Sequence, residues 1–180
     1  MRMLLAALAA LSLSACGESD VMREIRRDEA ERAQKAAAVV EMSEQFLAEA
    51  AARPGAETLP SGLVYEVTTE GPDQALAKPT AEAVVLVHYE GKLADGTVFD
   101  SSFERGAPVD FPLAGVVPGF SEAIRQMRPG DEFLVTMPAA LGYGARGQPP
   151  SIPPNAALQF RIQLLAFQGP DGRLVQAPRP

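Results

Sequence analysis

The spacing of hydrophobic positions divides the 180-residue chain into stretches of different character. Met3 to Leu13 is an apolar run behind a single positive residue, Arg2. It falls short of the roughly 20 residues that span a bilayer and has the proportions of a signal peptide. From Val21 to Ala52 there is no Gly or Pro, and Ala, Glu, Arg and Gln dominate, which predicts a long helix. Asp28–Arg32 and Glu31–Lys35 place an acid four residues ahead of a base, the favourable order on a helix face. The first half of this helix is charged on nearly all sides and reads as a solvated stalk. Its second half carries Ala36, Val39, Val40, Phe46, Leu47 and Ala50 at a 3.6-residue period, a face that must be covered. Packing on the following domain and pairing with a second copy both satisfy it. Pro54-Gly55 ends the helix.

Beyond Pro60-Ser61-Gly62 the period falls to two. Leu63, Tyr65 and Val67 alternate with polar residues in a first strand, and Gly71 to Pro79 is a turn-rich loop. Residues 82–93 form a long β-rich run that Asp95-Gly96 turns back into Thr97 to Asp100. Phe120 to Met127 is a short helix with Ala123 and Ile124 at helical spacing, stopped by Pro129-Gly130. Glu132 to Met137 is a strand, and 157–167 alternates through Leu158, Phe160, Ile162 and Leu164. The last dozen residues hold three prolines and are expected to be a disordered tail. The pattern divides the chain at 1–15, 16–56, 57–168 and 169–180, with an α+β domain over 57–168.

A formal net charge of −7 argues against a nucleic-acid partner, which needs a basic face, and fits simple solubility. One cysteine, Cys16, and one histidine, His88, argue against a zinc or iron site and exclude an intrachain disulfide. Leu13-Ser14-Ala15-Cys16 resembles the bacterial lipobox. That resemblance implies cleavage before Cys16 and lipidation of it; an ordinary signal peptide with a chance cysteine is the alternative. Gly17 stands where a lipoprotein retained in the inner membrane typically carries Asp, so the implied anchor lies in the outer membrane, facing the periplasm.

Gly142-x-Gly144-x-x-Gly147 fits the dinucleotide fingerprint by letters alone. It runs into Pro149-Pro150 and Pro153-Pro154, which cannot open a helix, so the nucleotide reading fails. His88 sits inside a strand run with no Gly-x-Ser-x-Gly elbow, and reads as a satisfied sheet histidine. No spacing singles out a carboxylate pair. Tyr89, Phe99, Phe111, Phe120, Tyr143 and Phe160 fall at strand ends, the helix start and a loop; taken singly, each reads as core.

Their order is more specific. Val87-His88-Tyr89-Glu90-Gly91 with Asp95-Gly96-Thr97-Val98-Phe99-Asp100-Ser101-Ser102 resembles the first signature of FKBP-type isomerases. Val116-Val117-Pro118-Gly119-Phe120 resembles the second. Leu141-Gly142-Tyr143-Gly144, followed by Ile152 to Phe160, resembles the third. Thr58 to Leu63 behind an Ala-rich helix further resembles the macrophage infectivity potentiator branch, in which an N-terminal helical domain dimerises the protein; the segment is short here, and homodimer formation stays open. The resemblance implies an antiparallel sheet of five or six strands wrapped around one short helix, preceded by a long N-terminal helix. It implies a peptidyl-prolyl cis/trans isomerase acting on proline-containing unfolded or folding polypeptides, with no cofactor and no metal.

By the same resemblance Phe120 forms the pocket floor, Tyr89, Phe99, Val116, Val117 and Phe160 form its walls, and Val109 is a further substrate-binding residue. The Val117 amide and the Tyr143 hydroxyl hold carbonyls flanking the proline. Asp100 bonds to Tyr89 and Arg105 and places a carboxylate near the rotating carbonyl, with a structural ion pair as the plainer reading of Asp100 and Arg105. Ile152 closes the loop side. A holdase or assembly factor, binding without catalysis, and a structural lipoprotein with a vestigial pocket are the competing readings. Phe120 stands where the family usually has Trp, Val109 and Ser151 where larger apolar residues are common, and Gln148 where His is frequent. A shallower pocket follows, with macrolide inhibitors bound weakly. Titration of the soluble domain with such an inhibitor is expected to give lower affinity than its Trp-bearing relatives show, and equal affinity contradicts the shallow pocket.

Overall fold

The computed structural model describes residues 20–178, of which 20–34 and 35–178 belong to two separate units. The expected signal segment 1–15 and Cys16 lie outside the described residues. Among those described, no helix is long and apolar enough to cross a membrane.

Helix α1 spans Asp20–Ala51. In its first unit Val21, Met22 and Ile25 are exposed. From Lys35 onward, one face is buried on the domain that follows: Val39 packs against the core, Ser43 and Ala50 are buried, and Phe46 and Leu47 are half-buried. Ala36 and Val40, expected on the same face, are exposed. Packing on the domain therefore covers only part of the apolar stripe.

The strands are β1 (Ala56–Thr58), β2 (Val64–Thr69), β3 (Val84–Leu93), β4 (Val98–Ser101) and β5 (Val109–Pro112). Helix α2 (Pro118–Ile124) follows, then β6 (Glu132–Met137), β7 (Leu158–Gln168) and β8 (Leu174–Gln176). The path through the antiparallel sheet is β1-β2-β6-β7-β3-β4, with β5 on β3 and β8 on β7. β7 pairs with β3 along the whole of that strand, so β5 and β4 share its other edge, at Val84–Val87 and Glu90–Lys92.

Alternation decides which side chains meet α2. On β3, Val85, Val87, Tyr89 and Leu93 point to the core, while Leu86, His88, Glu90 and Lys92 point away. His88 Nδ1 lies 3.1 Å from Ser102 Oγ, and its ring stacks on Phe103 at 4.9 Å, as a satisfied sheet histidine should. Phe133, Val135 and Met137 of β6 and Leu158, Phe160, Ile162 and Leu164 of β7 complete the concave face. Against it α2 buries Phe120, Ala123 and Ile124. Pro118 opens the helix at a position that needs no amide donor. The helix ends at Ile124, three residues sooner than its pattern predicts. There Gln126 and Met127 tighten into bonds to Ala123 and Ile124, as last turns commonly do.

Among the described residues the sheet has eight strands where five or six are expected. The additions β1, β5 and β8 are three or four residues long, too short to show a period of their own. β8 also corrects the expected disordered tail: Gly169 and Gly172 form a turn that lays Val175 beside Phe167, burying part of that ring. Val67, expected to face inward, is 39% exposed, because β2 enters the core with Leu63 and Val64 and its register shifts after Val67. Truncating the fully buried Ile124 to Ala is expected to cost about 2–5 kcal/mol in urea unfolding, by loss of transfer energy and creation of a cavity.

Candidate active site

Five stretches of the chain supply one hollow: β3, β4, the segment from β5 into α2, the loop between β6 and β7, and β7 itself. The cavity has a volume of about 320 Å³ and is lined by Tyr89, Phe99, Asp100, Phe111, Gly115, Val116, Val117, Phe120, Tyr143 and Phe160. That size is at the small end for ligand sites, enough for one side chain and its flanking peptide groups.

Phe120 is its floor, 4% exposed. Three rings meet it edge-on: Phe160 at 5.3 Å, Tyr89 at 6.0 Å and Phe111 at 6.0 Å between centroids. Phe99 stands edge-on to Phe160 at 5.6 Å. Such contacts each add about 0.5–1.5 kcal/mol beyond area burial and fix ring orientation. The pair rests on bare backbone, because a Cβ on Gly91 would come within 2.5 Å of Phe99 and 2.9 Å of Phe160.

The rim is polar. The Tyr89 hydroxyl donates to Asp100 Oδ2 at 2.5 Å and accepts from Arg105 Nη2 at 3.0 Å, while Arg105 Nη1 pairs with Asp100 Oδ1. Asp100 and Arg105 are both part-exposed, so the ion pair adds little stability and serves mainly to orient the group. Burial pushes the Asp100 carboxyl upward, but the hydrogen bonds from Tyr89 and Arg105 outweigh burial and hold it below the ordinary value. Burial, then the neighbouring Asp100, raises both Tyr89 and Tyr143, so both hydroxyls stay protonated. Among the described residues nothing accepts the Tyr143 hydroxyl proton, and nothing accepts the Val117 amide proton. Two free donors therefore border an apolar floor.

Most expected site residues come together here: Tyr89, Phe99, Asp100, Val116, Val117, Phe120, Tyr143 and Phe160. Arg105 stands behind the wall, touching Tyr89 and Asp100 without lining the cavity. Val109 and Ile152 do not line it. Val109 sits opposite Val87 in the sheet, and an antiparallel bridge to Gln148 draws Ile152 inward to 2% exposure. Phe111 and Gly115 are lining residues that site assignment from sequence missed. Phe111 shares a face of β5 with Val109, and reading 109–112 as a strand would have found it. Among the described residues no group of three or more His, Cys, Asp or Glu side chains is placed to hold a metal ion.

An antiparallel sheet curled over one short helix, with an aromatic hollow at that helix's start, defines an FKBP-like α+β domain. Residues 76–165 match the family described as FKBP-type peptidyl-prolyl cis-trans isomerase, and residues 8–67 match the domain amino terminal to it. The chain is 43% identical over 145 residues to the FKBP-type 22 kDa peptidyl-prolyl cis-trans isomerase of Escherichia coli, covering 80% of this chain and 69% of that protein. It is 43% identical over 128 residues to the peptidyl-prolyl cis-trans isomerase Mip of Coxiella burnetii, covering 71% and 54%. Crystalline FkpA from Escherichia coli superposes with a TM-score of 0.70 at 31% identity, over 90% of this chain and 76% of that one. The chain belongs to the FKBP-type peptidyl-prolyl cis-trans isomerase family. It spans about half the length of several curated relatives that it matches.

Because Phe99 and Phe160 sit directly on Gly91, Gly91→Ala is expected to leave a folded domain by circular dichroism. Its cavity is then distorted, and turnover of an X–Pro peptide falls about tenfold or more.

Proposed function

We propose that this domain accelerates rotation about X–Pro bonds in unfolded or folding envelope polypeptides. The supporting observation is Phe120 met edge-on by Phe160, Tyr89 and Phe111, in a cavity that Val117 and the Tyr143 ring also line. The barrier to peptide rotation, about 18–20 kcal/mol, comes from amide resonance. For X–Pro the two isomers lie close in energy, so the barrier alone sets the rate. A catalyst must therefore favour the twisted imide, whose carbonyl is less polar than that of the planar forms. A planar imide loses more on leaving water for an apolar floor, and the difference lowers the barrier. Each tenfold acceleration asks for about 1.4 kcal/mol of such preference.

In this reading the proline ring lies on Phe120 between Tyr89, Phe99, Phe111 and Phe160. The Val117 amide and the Tyr143 hydroxyl each donate to a carbonyl beside the proline. Asp100, oriented by Tyr89 and Arg105, sets a negative charge near the rotating carbonyl, which disfavours its planar, more polar form. The lipobox-like segment before Cys16 supports a lipid anchor in the outer membrane, with the domain facing the periplasm; two or three acyl chains suffice for stable attachment. A second reading, client holding without catalysis, draws on Val40 and Met42, which leave apolar surface exposed on α1.

A protease-coupled assay on X–Pro peptides with varied X tests the proposal. Tyr143→Phe is expected to lower kcat/KM about five- to tenfold, and Asp100→Ala further, while a cellular function that survives both losses favours client holding. The pH profile is a separate check. The Asp100 network is complete above the ordinary carboxylate value of 3.8 and is lost as the pH falls through the lowered one. The tyrosine hydroxyls remain donors up to and beyond their ordinary value of 10.0. Rates are therefore expected to be flat between about pH 5 and about pH 9.

A further inference from the structure

The face that α1 turns to the domain is apolar except at one position, Ser43, which is 7% exposed. Its hydroxyl is used twice: it accepts from the Ala157 amide at 2.9 Å and donates to the Asn155 carbonyl at 3.3 Å. Ala157 is wholly buried and immediately precedes β7. Asn155 is the one non-glycine residue with positive φ among those described, at 60°, a conformation that Asn tolerates better than most side chains. Its own amide donates to the carbonyl of Gly144 at 2.9 Å, and the Tyr143 carbonyl accepts from Gly147 at 3.2 Å. A short chain of bonds thus runs from the helix to the residue that follows Tyr143.

We propose that Ser43 is a positioning residue for Tyr143, so that the docked half of α1 is part of what makes the pocket competent. This rests on the isomerase reading above. Packing alone does not require a hydroxyl among Val39, Phe46, Leu47 and Ala50. What requires it is the Ala157 amide, which has no other acceptor among the described residues. Without Ser43 that buried donor is left unpaired, and the 155–157 segment shifts to reach water. Asn155 then no longer holds Gly144, and the Tyr143 hydroxyl loses its fixed place at the rim.

The test is a double-mutant cycle on the full chain, with kcat and KM measured separately on an X–Pro peptide. Ser43→Ala is expected to lower kcat about three- to tenfold with little change in KM. In a Tyr143→Phe background the same substitution is expected to cost less than about twofold, because the group it positions is already gone. Phe46→Ala, which loosens the same helix without touching the bonds, is expected to lower the melting temperature at least as much yet leave kcat within about twofold. Asn155→Ala strains the link from its other end and is expected to reproduce the Ser43→Ala pattern, which covers the case of a poorly folding first variant. Full additivity with Tyr143→Phe overturns the proposal, as does a kcat loss for Phe46→Ala equal to that for Ser43→Ala. An inactive wild-type chain overturns the isomerase reading, and this one with it; an active chain indifferent to Ser43 overturns this one alone.

Discussion

Phe120 depends on being met edge-on by Phe160, Tyr89 and Phe111, and the site's chemistry depends on Phe120. The four rings come from β7, β3, β5 and α2, so the sheet must curl and the helix must seat before any of them has its neighbours. Once seated, they leave an apolar floor with polar atoms only at the edge. On the proposed mechanism, polar side chains in the floor would solvate a planar imide as well as a twisted one and erase the difference that catalysis needs. The constraint explains Gly91, where any side chain would strike Phe99 and Phe160. It also gives a role to the bonds on both Asp100 oxygens: Tyr89 and Arg105 fix the orientation of a part-exposed carboxylate at the cavity's edge.

The fold was legible wherever a segment was long enough to show its period. β3, β6 and β7 come within two residues of their predicted limits, because ten-, six- and eleven-residue strands alternate several times. β5 and β8 were not legible, since three or four residues cannot establish alternation and their pairing is decided by distant partners. The face of α1 was half legible. Val39 and Ala50 fit the apolar stripe, but Ser43, a polar residue at a buried position, breaks the pattern that was used to find it.

The site behaves in the same way. Ordered motifs located the aromatic residues, and the structure brings those of Tyr89, Phe99, Phe120, Tyr143 and Phe160 to one cavity. Motif resemblance could not separate a wall residue from one standing just behind it. The resemblance implied Val109 as substrate-binding and Ile152 as closing the loop side, whereas sheet register and a local bridge turn both away from the cavity. Membership of the isomerase family fits this arrangement. Ser43 adds a link of another kind, in which an element outside the sheet supports the loop that carries a rim donor.

In the proposed mechanism the cavity works by its solvation properties, with no proton moving and no covalent bond forming. The solvent deuterium isotope effect on kcat/KM for an X–Pro peptide tests it most directly. Rotation in an apolar hollow predicts a ratio of about 1 between light and heavy water, since no exchangeable proton is in flight. A ratio of about 2 or more would mean proton transfer at the barrier and would contradict the account.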